Sequence, residues 1–345
     1  MNNTWNIGII GAGMIADFHA MAINDIPNAN LIGFCDNGSG RSATLAKKYN
    51  TKAYTGYKEL LNDAEIDVVI IATPSGLHME PTILAAEKGI HVLCEKPLEI
   101  TPARVDKMIQ AHQSSNTYLG GIFNFRFSPV IDEVRSAIRE QRMGKITFGG
   151  IHVPWWRDES YYDSNWKGTL KLDGGGALMN QSIHMVDLLQ HLMGPVHCLC
   201  AFADHLHHDI EAEDTAVAIL KFKNGALGQI YGTTASYPGH LRKLEISGPN
   251  GTICMEEDSL TVWNFRKEIS RDQEILKEFS AASQSGGAAD PSAMTHHNHT
   301  KNIQSFLDSI EKKLPFDIDG NEARKAVEII CAIYESQKKG EIIYL

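Results

Sequence analysis

Two stretches of this chain hold side chains able to move a proton and stabilise a developing charge. The first is His91-Val92-Leu93-Cys94-Glu95-Lys96-Pro97. An apolar, strand-like run stops at Glu95-Lys96, and Pro97 restricts the backbone of the residue before it to an extended form. A lysine held this way at a strand end aims its ammonium at one place. Glu95 can pair with that ammonium or with a cofactor ribose. The second stretch is Asp173-Gly174-Gly175-Gly176-Ala177-Leu178-Met179-Asn180-Gln181-Ser182-Ile183-His184-Met185-Val186-Asp187. The spacing predicts a helix over 176–193 on which Asn180 and His184 share a face, with Asp187 placed to orient the imidazole. A histidine with a pKa near neutral takes a hydroxyl proton, and a positioned ammonium stabilises the alkoxide that forms.

Oxidation at such a hydroxyl needs a hydride acceptor, and a third stretch supplies a place for one. The apolar run Trp5 to Ile10 passes into Gly11-Ala12-Gly13-Met14-Ile15-Ala16, a GxGxxA turn opening a helix. Gly11 permits the tight turn, Gly13 lets a pyrophosphate approach the backbone, and Ala16 allows close helix–strand packing. The free N–H groups at the helix start, around Met14 and Ile15, suit phosphate oxygens. The second strand ends at Asp36, whose carboxylate accepts hydrogen bonds from an adenosine ribose and repels a 2′-phosphate. NAD is therefore the expected cofactor. Arg41, close by, suits a 2′-phosphate and keeps NADP possible. Thr73, Pro74 and His78, in the Thr73–His78 loop after the β-branched run 67–73, are expected beside the nicotinamide ribose.

The elements that must position these residues fall into two styles. Over residues 1–122, continuous apolar strands alternate with helices, the pattern of a parallel sheet covered on both faces. From 123 to 345, strands separated by turn signals such as Asn224-Gly225 predict an antiparallel sheet. Helices are expected near 129–141, 176–193, 298–312 and 321–338. The small, polar run 280–294 reads as a loop or lid.

Composition narrows the partners. The 345 residues carry a formal charge of −10, with 43% hydrophobic and 21% charged content. That balance argues against nucleic acid or an anionic membrane as main partner. There is no 18-residue apolar run, and the N-terminal MNNTWNIGII lacks a basic leader pattern. The six cysteines are scattered without a CxxC, the usage of reduced thiols in a cytoplasmic protein. The clusters His205, His207, His208 and His296, His297, His299 lack a frame of carboxylates, so no metal is expected.

GxGxxA, the ATPSGLH loop, CEKP and DGGGALMNQSIH, with IEAEDTAVAILKF and RKLEISGPNGTI further on, resemble the Gfo/Idh/MocA oxidoreductases. The resemblance covers nearly the whole chain. It implies an NAD(P)-binding Rossmann domain over 1–122 and an α+β domain over 123–345, whose large, mostly antiparallel open sheet carries substrate binding and a homodimer or homotetramer contact. It implies that Lys96 holds the reacting hydroxyl and His184 acts as general base. Asn180 stands where many members have an aspartate; an amide orients a hydroxyl but cannot take its proton. The MNQSIH form is similar to a branch containing nucleotide-sugar 3-dehydrogenases. Asn124, Arg126, Arg157, Tyr161, Tyr162, Trp166, Lys167 and His299 are expected to line a carbohydrate pocket, since aromatic faces suit sugar rings and arginine suits a carboxylate or phosphate. Two alternatives stay open: a glycosidase of the same fold that cycles bound NAD, and a non-enzymatic nucleotide-binding sensor.

Overall fold

A computed structural model describes residues 4–164, 166–280 and 296–345. The expected loop 280–294 lies, apart from Ser280, outside the described residues. The chain forms two compact units. The first runs through Asn124 and takes back a later segment ending at Val327; the second holds Phe125 onward and the chain from Glu328 to Leu345.

The first unit contains β1 (Trp5–Ile10), α1 (Met14–Asn24), β2 (Ala29–Cys35), α2 (Arg41–Tyr49), β3 (Lys52–Tyr54), α3 (Tyr57–Leu60), β4 (Val68–Ile71), α4 (Met79–Glu87), β5 (His91–Cys94), α5 (Pro102–Ser114) and β6 (Leu119–Gly121). The strands pair in the order β3-β2-β1-β4-β5-β6, all parallel. The order reverses between β1 and β4, the switch point outside which such sheets bind ligands. Ile9, Ile70, Ile71, Val92 and Leu93 are fully buried or nearly so, as strands covered on both faces require. Each such side chain contributes about 1.5–3 kcal/mol by leaving water.

From the sequence, everything after residue 122 is expected in the second domain. The fold differs: α9 (His297–Lys312) packs on α1. Phe306 and Phe316 lie over the bare backbone of Gly120, and Gly121 N–H donates to the Ile318 carbonyl at 2.8 Å. The open edge of β6 is thus covered by chain from the far end of the sequence. The helix α10 (Gly320–Lys339) begins in the first unit and ends in the second.

The second unit contains α6 (Pro129–Arg139), β7 (Phe148–Pro154), α7 (Ile183–Met193), β8 (Val196–Asp204), β9 (Thr215–Phe222), β10 (Leu227–Thr233), β11 (Lys243–Gly248), β12 (Gly251–Glu256), β13 (Ser259–Phe265), α8 (Arg271–Phe279) and β14 (Ile343–Tyr344). The eight strands pair in the order β13-β12-β11-β7-β10-β9-β8-β14. β7 and β10 are parallel; the other neighbours are antiparallel. One face packs on α7, where Ile183, Val186 and Leu189 are buried. The other face is open and apolar: Ile219 is 64% exposed and Phe202 76%.

Candidate active site

In the first unit the candidate residues collect at the carboxyl ends of β1, β2, β4 and β5. Gly11 adopts φ +110, and a Cβ there would stand 2.4 Å from the Ala72 carbonyl oxygen. The turn therefore needs glycine on two counts. A Cβ on Gly13 would meet nothing within 4 Å, and α1 has no side-chain cap. Bare backbone, open space and uncapped N–H groups together are what a pyrophosphate needs. The Thr73 hydroxyl, at the end of β4, is buried and has no hydrogen-bond partner among the described residues. This donor set fits a dinucleotide.

Asp36 accepts from Gly38 N–H at 2.8 Å, the Ser39 hydroxyl at 2.8 Å and Ser42 N–H at 2.9 Å. Burial alone would raise its pKa; the donors at Ser42, Ser39 and Gly38 outweigh it and hold the carboxyl at about 2. It stays ionised while capping the start of α2, and a lone pair on Oδ1 remains for a ribose. Arg41, the first residue of α2, is exposed beside it.

Glu95 and His78 each make hydrogen bonds within the chain. Glu95 Oε1 lies 2.8 Å from His19 Nε2, and Oε2 accepts the Lys96 backbone N–H at 3.0 Å. His78 is 1% exposed, with Nδ1 3.0 Å from the Pro97 carbonyl and Nε2 2.8 Å from the Thr73 carbonyl. The Lys96–Pro97 peptide is cis. Asn124 and His299 come together, Asn124 Nδ2 standing 3.5 Å from His299 Nδ1, and the His299 ring meets His19 edge-on at 5.3 Å. Burial, and then the charge of His19, push His299 down to about 4, so it is neutral. His19 was not among the expected site residues. Its signal was available: a histidine on the alanine-lined buried face of α1.

In the second unit, the expected helix over 176–193 is α-helical only from Ile183. Ala177–Ser182 forms a π-turn, an uncommon geometry that concentrates at functional sites. Its start is fixed by Glu213, whose Oε2 accepts Gly176 N–H at 3.0 Å and whose Oε1 accepts Leu178 N–H at 2.8 Å. Gly176 approaches so closely that a Cβ would sit 2.0 Å from the Glu213 carbonyl oxygen. Burial pushes Glu213 up to about 7 despite these donors and the Tyr334 hydroxyl, 3.0 Å away. The wider turn also alters the shared-face expectation. Asn180 turns its amide nitrogen to Asp173 Oδ1 at 2.6 Å. A carboxylate only accepts, so the Asn180 carbonyl oxygen faces the other way, 3.5 Å from the Tyr161 hydroxyl.

His184 stacks on Phe125 at 4.6 Å, and the Arg242 guanidinium lies 4.0 Å from the same ring. Arg126, expected to line the pocket, is buried and forks onto Asp187 at 2.7 and 2.5 Å, with His191 at 3.0 Å from its third nitrogen. It braces α7 from inside. Arg157 donates to Gln181 Oε1 at 3.0 Å, and Gln181 donates to the Tyr161 hydroxyl at 2.6 Å. The Lys167 ammonium sits 3.5 Å from the centre of the Tyr161 ring, with no carboxylate at ion-pair distance among the described residues. Burial lowers its pKa. The Tyr162 hydroxyl bonds Thr234 at 2.8 Å, and Trp166 is half-buried, its carbonyl taken by Thr169.

Residues 5–120 match the family model described as "Oxidoreductase family, NAD-binding Rossmann fold", and 131–254 match "GFO/IDH/MocA C-terminal domain". The chain is 30% identical to myo-inositol 2-dehydrogenase of Thermotoga maritima over 254 residues, 72% of this chain and 74% of that one. It is 24% identical to D-glucoside 3-dehydrogenase of Escherichia coli K12, covering 98% and 97%. The WlbA dehydrogenase of Bordetella pertussis, solved with NADH and UDP-GlcNAcA, superposes with a TM-score of 0.91 at 28% identity, covering 100% of this chain and 99% of that one.

Proposed function

Because the chain belongs to the Gfo/Idh/MocA oxidoreductases, NAD-dependent enzymes acting on a secondary hydroxyl of a sugar, cyclitol or sugar derivative, we propose that its own substrate is a sugar carrying an acidic group. The observation that carries this finer reading is the pair of cations around Tyr161. The Arg157 guanidinium lies 5.4 Å and the Lys167 ammonium 3.5 Å from its ring centre. Two cations converge on this ring, and Asp173, whose charge reaches Lys167, stands outside ion-pair distance, so an anionic group on the substrate is the complement they favour. The likeness to a dehydrogenase solved with UDP-GlcNAcA points the same way.

In this reading His184 takes the hydroxyl proton, and Lys96 hydrogen-bonds the same oxygen as charge develops on it. Asn180 offers its carbonyl oxygen to a neighbouring hydroxyl. Bound NAD supplies the hydride acceptor. Gly11, Gly13, Met14, Ile15, Asp36, Thr73 and Pro74 hold the dinucleotide, while Arg126 keeps α7 in place. The first unit, with the later segment that ends at Val327, serves the cofactor; the second serves substrate and subunit contact. A homo-oligomer formed through the open sheet face would cover Phe202 and Ile219. The six free cysteines accord with a cytoplasmic setting.

The test is a panel of myo-inositol, D-glucose, D-glucuronate and UDP-GlcNAcA, each with NAD⁺ and NADP⁺, read by NADH or NADPH accumulation. An acidic sugar with NAD⁺ should give the highest kcat/KM, and Lys167→Met should lower that value about 10-fold or more while sparing neutral sugars. Preference for a neutral sugar, unchanged by Lys167→Met, sinks the proposal.

A further inference from the structure

The β4–β5 ladder ends where Glu95 N–H donates to the Ile71 carbonyl at 2.9 Å, one residue before Lys96. Lys96 nevertheless has both its neighbours secured, each by a histidine from a different helix. On one side stands His19 of α1, 0% exposed, whose Nε2 meets Glu95 Oε1 at 2.8 Å. Its Nδ1 has no hydrogen-bond partner among the described residues, so the ring's bonding is directed to Glu95 alone. Burial would raise the Glu95 pKa, but the hydrogen bond to His19, with the nearby charge of Lys96, holds it at about 2. The ionised carboxylate then receives the Lys96 N–H on its second oxygen at 3.0 Å.

On the other side stands His78, at the start of α4. Nδ1 lies 3.0 Å from the Pro97 carbonyl and Nε2 2.8 Å from the Thr73 carbonyl. Carbonyl oxygens only accept, so a hydrogen on Nδ1, the tautomer that the brace uses, donates to the Pro97 carbonyl. Its own carbonyl receives the Thr82 hydroxyl at 2.7 Å, which ties the residue to α4.

The geometry points to a two-histidine brace. His19, through Glu95, and His78, through the Pro97 carbonyl, fix the main chain from which Lys96 projects, and both are positioning residues for that lysine. Burying a carboxylate and two imidazoles is costly, and an apolar contact would fill the same space without that cost. The polar arrangement supplies direction: it sets the main chain on both sides of Lys96. A displacement of about 1 Å at a reacting group can cost on the order of 10²-fold in rate. The brace also accounts for the bonds that Glu95 and His78 make within the chain.

The inference rests on the role proposed for Lys96, and the test separates the two. His19→Leu removes the donor to Glu95, His19→Gln restores a nitrogen near the Nε2 position, and His78→Phe keeps a ring without donors. In the NAD-bound enzyme, hydrogen exchange over residues 92–98 should accelerate in His19→Leu and His78→Phe, with exchange in β1 and NAD affinity unchanged. With the panel sugar oxidised fastest, both should lose about 10- to 100-fold in kcat, and His19→Gln should recover most of it. In a Lys96→Ala background neither should lower kcat further. Unchanged exchange and kcat in both folded variants overturn the brace, as does a loss of equal size with and without Lys96. Wild-type turnover by Lys96→Ala overturns the lysine's role, and the exchange data then decide the brace alone. Should His19→Leu fail to fold, His78→Phe and Glu95→Gln carry the same comparison.

Discussion

Replacing Lys96 with alanine removes an ammonium whose backbone is fixed; replacing His184 removes the only proposed proton acceptor. Each change should lower kcat on the order of 10²-fold or more while leaving NAD affinity intact, since neither side chain is asked to bind the pyrophosphate. Fluorescence titration with NAD and steady-state rates check this, and either variant with wild-type turnover removes that residue from the mechanism. The proposals for both residues rest on local frames, EKP and GGG-x₇-H, that are contiguous in the chain. Arg126 was legible only as a cation. Its partner Asp187 lies 61 positions away, and no local pattern says that the guanidinium forks inward at 2.5 Å. Asp36 shows the converse: its strand-end position suggested a ribose acceptor, and its oxygens, while bonding the start of α2, keep a lone pair for that role.

The short π-turn ahead of α7 depends on one buried acid just before β9. Glu213 has its pKa raised from 4.5 to about 7 by burial. The folded state therefore holds that proton more tightly than the unfolded chain does. This contribution to stability is complete below about 4.5 and is lost as pH rises through about 7. Tm should fall across that window in the wild type, and Glu213→Gln should flatten the slope. Because the amide keeps only one acceptor for the N–H groups of Gly176 and Leu178, the variant should also lose about 1–3 kcal/mol at high pH. A wild-type slope retained in the variant, followed by calorimetry, assigns the pH dependence elsewhere. A helix over 176–193 was readable from its apolar period. The wider turn within it was not, because it is imposed by Glu213, a contact from another element. Helix α8 likewise went unanticipated: its amphipathic turn is short, and Asp272, bonded by Arg142 and the Trp263 indole, anchors it from afar.

Two architectures in series were legible from the change in strand pattern near residue 123. What the pattern concealed was the ownership of the last helices, since an amphipathic helix does not announce which sheet it covers. The open face of the second sheet should carry the subunit contact, and Ile219→Lys should shift the mass measured by light scattering toward the monomer; an unchanged mass excludes that face. The return of 297–327 to the first unit has a further consequence for biosynthesis. As the chain leaves the ribosome, all six parallel strands are available once Gly121 has emerged. The side chains that close over β6 and α1 arrive only when α9 and Phe316 have been translated. Until then the nascent nucleotide-binding half exposes apolar surface and an unpaired edge, the features that recruit chaperones and invite aggregation. A fragment ending at Asn124 should accordingly lack a cooperative thermal transition, and a sharp one would show that this half matures before its cover is made.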